Sequence, residues 1–220
     1  MPGRTIAIGD IHGCATALAA LIEAIDPAPD DVLVTLGDYV DRGTESRAAI
    51  DLLLQLAERC RLVPLLGNHE EMLMAAYEDP QSPALAAWLQ SGGHATLESY
   101  GFSSGAMELP AEHLAFISGC RDWHETETHL FLHASYDENL PMEQLSPHQL
   151  RWESLRDRVP LRHYSGKTAI VGHTAQKTGE ILDRGYLKCI DTYCYGGGLL
   201  TALDVDTGHL WQADRTGVIR

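Results

Sequence analysis

Three times within its first seventy residues the chain repeats one succession: a short apolar run, a polar loop opening on Gly, and an amphipathic stretch. Thr5–Ile8 ends in Gly9-Asp10-Ile11-His12-Gly13, and Thr16–Ile25 then carries Leu18, Leu21, Ile22 and Ile25 at helical spacing. Pro27 and Pro29 stop that helix. The strand Asp31–Leu36 leads into the loop Gly37–Gly43 and a helix over about Glu45–Arg59, and Leu62–Leu66 runs into Gly67-Asn68-His69-Glu70. Strands alternating with helices predict βαβ units and a largely parallel sheet. Ligands bind such sheets at the carboxyl ends of the strands. All three polar loops fall there.

Residues 71–125 read as mainly helical, with breaks at Pro80, Pro83, Gly92-Gly93 and Gly101. Helices are expected over Glu71–Tyr77, Ser82–Ser91, His94–Tyr100 and Pro110–Ser118, forming a cap-like section beside the loops. Short strands return at His129–His133, Thr168–Gly172, Leu187–Asp191 and Leu199–Asp204, the last in a hairpin with His209–Ala213 across Asp206-Thr207-Gly208. Asp191–Cys194 and Tyr195 followed by Gly196–Gly198 form either a loop lining the site or a glycine-rich turn between strands. With no internal repeat or linker, residues 1–220 are expected to form a single domain.

Charge narrows the partners. The chain holds 16 Lys+Arg against 31 Asp+Glu, a formal net charge of −15. Affinity for a phosphate backbone comes from clustered Lys and Arg, so no nucleic-acid partner is expected. An acidic protein acting on phosphates would need bound cations to reverse the sign locally. The five cysteines are scattered, without CxxC spacing or a disulfide framework, which fits a reduced cytoplasmic setting. Cys14 reads as a helix-packing residue rather than a nucleophile. The opening MPGRTIAIGD lacks a signal-peptide apolar run, and no stretch is long enough for a bilayer, so no membrane association is expected.

Five polar loops gather chemistry-bearing side chains: Asp10 and His12; Asp38, Asp41 and Arg42; Asn68 and His69; His133 in FLHAS; and His173 in VGHTA. Side chains at i and i+2 of an extended segment point to one side, so Asp10 and His12 suit one metal. Carboxylate, imidazole and amide oxygen form a borderline-hard set suited to Mn, Fe, Zn or a similar ion. Each piece has a blander reading. Gly-Asp at a strand end is often a turn, Asn68 is placed to cap the helix after it, Arg42 is placed to pair with Asp41, and a lone His at a strand terminus is more often structural. Five such loops in order, each closing an apolar strand, are not expected by chance.

GDIHG, GDYVDRG and GNHE, followed by a His after an apolar strand and by VGHT, resemble the calcineurin-like metallophosphoesterase superfamily, and within it the phosphoprotein phosphatases, especially their compact bacterial and phage-type members. These motifs span Gly9 to Thr174. The resemblance implies an α/β fold of two β-sheets sandwiched between helical layers, around two divalent metal ions, foremost Mn2+, with Fe, Zn, Ni or Co as alternatives. It implies that Asp10 and His12 bind the first metal, that Asp38 bridges both, and that Asn68, His133 and His173 complete the second. His69 would be the general acid, Asp41 would orient it, and Arg42 would hold phosphate oxygens. Two cations about 3.5–4 Å apart activate a shared water for in-line attack on phosphorus, and a protonated His69 supplies the leaving alkoxide with its proton.

Two departures stand out. His133 is followed by Ala134-Ser135, where relatives commonly carry Gly. The second phosphate-binding Arg that many relatives place two residues after a Trp is Ser154 here, leaving Arg151, Arg156 and Arg162 as substitutes. The leading expectation is a phosphomonoesterase acting on phosphorylated proteins or small phosphoesters, a serine/threonine protein phosphatase of broad specificity. The alternative is a symmetrical diadenosine tetraphosphatase or another nucleotide pyrophosphohydrolase. A non-enzymatic phosphate-binding module predicts missing ligands or a missing acid, yet Asp41, His69 and all six ligands are present.

Overall fold

A computed structural model describes residues 3–102 and 107–220. Positions 103–106 of the expected helical section 71–125 lie outside the described residues. The three opening strands are β1 (Thr5–Ile8), β2 (Val32–Thr35) and β3 (Arg61–Pro64), joined through helices α1 (Ala15–Ile25) and α2 (Ser46–Ala57). They pair in parallel in the order β1-β2-β3. Pro64, which has no N–H to donate, is accommodated because β3 is the outermost strand of its sheet.

Helices follow within three residues of the expected ranges, as α3 (Asn68–Glu78), α4 (Pro83–Trp88), α5 (His94–Ser99) and α6 (Ala111–Ser118), with a π-type turn over Leu89–Gly93 between α4 and α5. Gly92 breaks that turn with a φ of 118°. The helices are followed by β4 (Trp123–Glu125), β5 (His129–Leu132), α7 (Pro147–Arg151), β6 (Thr168–Val171), β7 (Leu182–Asp183), β8 (Leu187–Cys189), β9 (Leu199–Asp204) and β10 (Leu210–Asp214).

Two five-stranded sheets result, ordered β10-β9-β1-β2-β3 and β4-β5-β6-β8-β7. Both are mixed. The largely parallel reading holds for β1-β2-β3 and for β5-β6-β8, but β9 runs antiparallel to β1, β10 to β9, β4 to β5 and β7 to β8. Strand alternation explains how the sheets stack. Ala7, Val34 and Val63 point inward and meet Phe131, Ile170 and Ile190 of the other half. Their neighbours Ile6, Ile8 and Leu33 point the other way, onto Leu18, Leu21 and Ile22 of α1 and Ile50 and Leu53 of α2. On the far side of the second sheet, Leu130, Leu132, Ala169 and Val171 are covered by Tyr136, Met142, Leu145, Leu150 and Leu155. That outer layer is mostly loop, with α7 and a 3-10 turn at Met142–Gln144.

Candidate metal centre

The carboxyl ends of β1, β2, β3, β5 and β6, drawn from both sheets, deliver every side chain that the loops were expected to supply. The backbone bends sharply to do so. His12, Asp38, Asp41, Arg42 and His173 all have φ between 44° and 71°, and among the described non-glycine residues only Asp26 and Tyr193 share that sign. Gly37, at φ 97°, lets two loops meet: a Cβ there would lie 2.6 Å from the Gly67 nitrogen.

Asp38 stands at the middle. Its Oδ2 lies 3.3 Å from His12 Nε2 and 4.0 Å from His69 Nε2, and its Oδ1 lies 3.4 Å from His133 Nε2. Candidate ligand atoms gather in two groups that share this carboxylate: His12, Asp38 and His69, and Asp38, His133 and His173. Asn68 Oδ1 joins the second at 3.1 Å from His133 Nε2 and 3.0 Å from His173 Nδ1. The helix-cap reading of Asn68 is corrected: Gly67 is the N-cap of α3, and the Asn68 side chain faces the two histidines. Asp10 falls outside both groups. Its carboxylate accepts the His173 backbone N–H at 2.9 Å and 3.2 Å, an approach that Gly172 permits because a Cβ there would sit 2.0 Å from Asp10 Oδ1.

The donor set fits cations. His133 Nδ1 donates to the Leu36 carbonyl at 2.7 Å and His12 Nδ1 to the Val40 carbonyl at 3.0 Å, which turns each Nε2 toward Asp38. Burial lowers the pKa of both His133 and His173, taking His173 to about 3, with repulsion between the two rings as a second cause for His173. A neutral ring is the ligating form. Asp10, Asp38 and Asp191 are all buried together. Burial and the charges of Asp191 and Asp38 raise Asp10 well above the carboxylate range. Burial opposes ionisation of Asp38 too, but His133, His69 and His12 prevail and hold it well below that range. Buried carboxylates that repel one another are relieved by a divalent ion.

His69 and Asp41 form a separate pair. His69 Nδ1 lies 2.7 Å from Asp41 Oδ2, with both side chains buried. Burial lowers the His69 pKa, but the charge of Asp38 and the hydrogen bond to Asp41 outweigh it, so the ring is raised above its ordinary value. Asp41 is gripped from the helical section: Trp88 Nε1 donates to both carboxylate oxygens at 2.9 Å and 3.0 Å, and Thr96 Oγ1 donates to Oδ1 at 2.6 Å. Arg42 donates its N–H to the Gly92 carbonyl at 3.2 Å, and its guanidinium lies 2.9 Å from His12 Nε2 and over the Tyr195 ring at 4.8 Å. The bland expectation of an Arg42–Asp41 pair is not met, since Asp41 turns inward to Trp88, Thr96 and His69.

Sequence reasoning passed over several contributors. Glu70 is fully buried, and its carboxylate accepts the N–H groups of Gly67, Asp38, Tyr39 and Val40 at 2.7–3.2 Å, tying the second loop to the third. Burial and the Asp38 charge raise it to about 8 against His69 and the Val40 and Tyr39 donors. Its place three residues after Gly67 was the available signal. Of the three substitute arginines, Arg151 is occupied by Glu71 and Asp122, and Arg162 lies over Tyr186. Arg156 donates to the Ala175 carbonyl at 2.9 Å, two residues beyond His173.

Residues 3–186 match the family model described as calcineurin-like phosphoesterase. The chain belongs to that family. It is therefore a metal-dependent phosphatase. A serine/threonine-protein phosphatase 1 of Salmonella typhimurium is 30% identical over 203 residues, 88% of each chain. A symmetrical bis(5'-nucleosyl)-tetraphosphatase of Janthinobacterium is 46% identical over 72 residues, which cover 32% of this chain and 26% of that relative. Among solved structures, a putative diadenosine tetraphosphatase superposes with a TM-score of 0.73 at 21% identity, covering 97% of this chain and 94% of its own. A cold-active protein-tyrosine phosphatase of Shewanella gives 0.66 at 14% identity, covering 100% and 80%. At those identities the likeness establishes the fold: two sheets with flanking helices.

Proposed function

We propose that this phosphatase removes phosphate from serine and threonine side chains of proteins with broad specificity, by direct in-line attack of water on phosphorus. The observation that carries the reading is the His69–Asp41 pair set beside two groups of ligand atoms that share Asp38. Asp10, His12 and Asp38 would hold one divalent ion, and Asp38, Asn68, His133 and His173 the other, with Mn2+ the leading choice. When bound, the two ions supply Lewis-acid activation of water and neutralise charge on phosphate oxygens.

The chain's own residues do the rest. Asp41 accepts the Nδ1–H of His69 and keeps that ring protonated, so that Nε2–H is free to be delivered to the leaving alkoxide. Arg42, exposed and beside His12, would bind the non-bridging phosphate oxygens through charge-assisted hydrogen bonds. No covalent phosphoenzyme is needed. Likeness to a serine/threonine phosphatase along 88% of both chains supports a protein substrate. Five free cysteines suit a reduced cytoplasm.

The dinucleotide reading draws its support from the 46% identity over the segment shared with the tetraphosphatase. Rates for phosphopeptides, nucleotides and diadenosine tetraphosphate, measured after chelation and repletion with single metals, test both. Faster cleavage of diadenosine tetraphosphate than of every phosphopeptide would reverse the order. Full activity in the chelated protein would overturn both.

A further inference from the structure

Two adjoining hollows lead away from the metal centre on the Arg42 side. The first, of about 300 Å³, is lined by Arg42, Thr44, Glu45, Tyr195 and Arg215 among others, and the second, of about 590 Å³, continues past Gly196–Gly198. Tyr195, Arg215 and Thr216 belong to both, so the hollows form one groove. We propose that this groove is a subsite for a second anionic group of the substrate, with Arg215 as its specificity-determining residue. The proposal rests on the phosphomonoesterase reading, which places the scissile phosphate against Arg42.

Charge pairing carries the argument. Of the 16 Lys and Arg side chains, seven lie within 4.0 Å of a carboxylate, namely Arg4, Arg59, Arg151, Arg158, Lys167, Lys188 and Arg220. Among the described residues, Arg42 and Arg215 have no carboxylate within 4.0 Å, although two lie along the same groove. Asp214 is occupied by Arg220 at 2.7 Å, by the Thr216 hydroxyl at 2.6 Å and by the Thr216 and Val218 N–H groups at 2.9 Å and 3.2 Å. Glu45 is turned onto Thr16, accepting its N–H at 3.0 Å and its hydroxyl at 2.8 Å. Two guanidiniums without a carboxylate partner on one groove beside a phosphatase centre form a row of anion donors, and charge-assisted hydrogen bonds to phosphate or carboxylate are the strong kind. The ring of Tyr195, half-buried under Arg42 and edge-on to His12 at 4.8 Å, floors the passage between them. Gly196–Gly198 contribute no side chains to the second hollow, which leaves room for the rest of the substrate.

The substrate class is thus a phosphoester carrying a second negative charge, from an acidic residue near the phosphoserine or from a further phosphate. Wild type, Arg215→Glu and Arg215→Lys separate the outcomes. Calorimetric titration of inorganic tripolyphosphate into chelated protein at low ionic strength should show binding that weakens about tenfold in Arg215→Glu and recovers in Arg215→Lys. In metal-loaded protein, the kcat/KM ratio for phosphopeptides with Asp over Asn two residues from the phosphoserine should fall about tenfold in Arg215→Glu, through KM. An unmoved peptide ratio with a raised KM for diadenosine tetraphosphate would assign the second charge to a phosphate. Equal tripolyphosphate affinity in all three proteins would overturn the groove. Absence of hydrolysis of every phosphoester would overturn the phosphatase reading, while the titration would still decide the groove.

Discussion

His69 is placed as a proton donor by atoms on opposite sides of its ring: Asp41 holds Nδ1 at 2.7 Å while Nε2 faces Asp38 at 4.0 Å. Replacing it by Asn removes the proton without removing a proposed metal ligand. Turnover of an alkyl phosphate by His69→Asn is expected to fall by about 10²–10⁴, the typical worth of a general acid, with metal content by elemental analysis unchanged. Unchanged turnover would remove His69 from the acid role. The residues with chemical roles were legible because each lies within a few positions of a strand end and a glycine. Trp88 and Thr96, which fix Asp41, were not: they reach it across 47 and 55 residues of sequence, where no local pattern records the contact.

Among the elements, the helices and central strands followed from hydrophobic period, since each buries a stripe or alternates between two cores. The two- and three-residue strands β7 and β4 were missed because pairing with a neighbour, not sequence pattern, creates them. The antiparallel partner of β1 escaped for a related reason: the hairpin β9–β10 was visible locally, but not that β9 joins β1. One tie between elements is testable by pH. Asp31, just before β2, accepts the Arg4 N–H at 2.8 Å, the Arg4 Nε at 3.1 Å and the Ala28 N–H at 2.9 Å, and so anchors the starts of β1 and β2 together. Burial raises its pKa, but the Arg4 and Ala28 hydrogen bonds and the Arg4 charge prevail and lower it. Its stabilisation is therefore present above the unfolded carboxyl value, about 3.9, and is lost as pH falls through the lower folded value. Asp31→Asn is expected to cost about 1–2 kcal/mol at pH 7, a gap to wild type that narrows below pH 4 in urea unfolding. A gap independent of pH would exclude the ionised carboxylate as its source.

For the whole molecule, the centre is a joint between sheets. Asp10, His12, Asp38 and Asn68 follow strands of the first, and His133 and His173 follow strands of the second. Ions bound there would oppose separation of the two halves, and a ligand at 100 times its dissociation constant stabilises by about 2.7 kcal/mol. Chelation should therefore lower the melting temperature by about 5–10 °C for a chain of this size, with recovery on adding Mn2+, as read by calorimetry. An unchanged melting temperature would mean that the ions do not couple the halves. No helix among the described residues is long and apolar enough to cross a membrane.

The left-handed backbone at the strand ends has a further consequence, for what selection had to give up. A residue with a Cβ is less stable in that conformation than glycine by about 1–2 kcal/mol, yet five of the seven described non-glycine residues that bend this way are the functional ones themselves. Arg42 is the cleanest case, with φ 70° and an exposed side chain. Arg42→Gly is expected to raise stability by up to about 1 kcal/mol, after allowing for the extra freedom of unfolded glycine, while raising KM for phosphoesters. A variant that loses both stability and affinity would contradict this. A lineage selected only for a sturdier fold would drift toward glycine at this turn, so the arginine persists against the grain of stability.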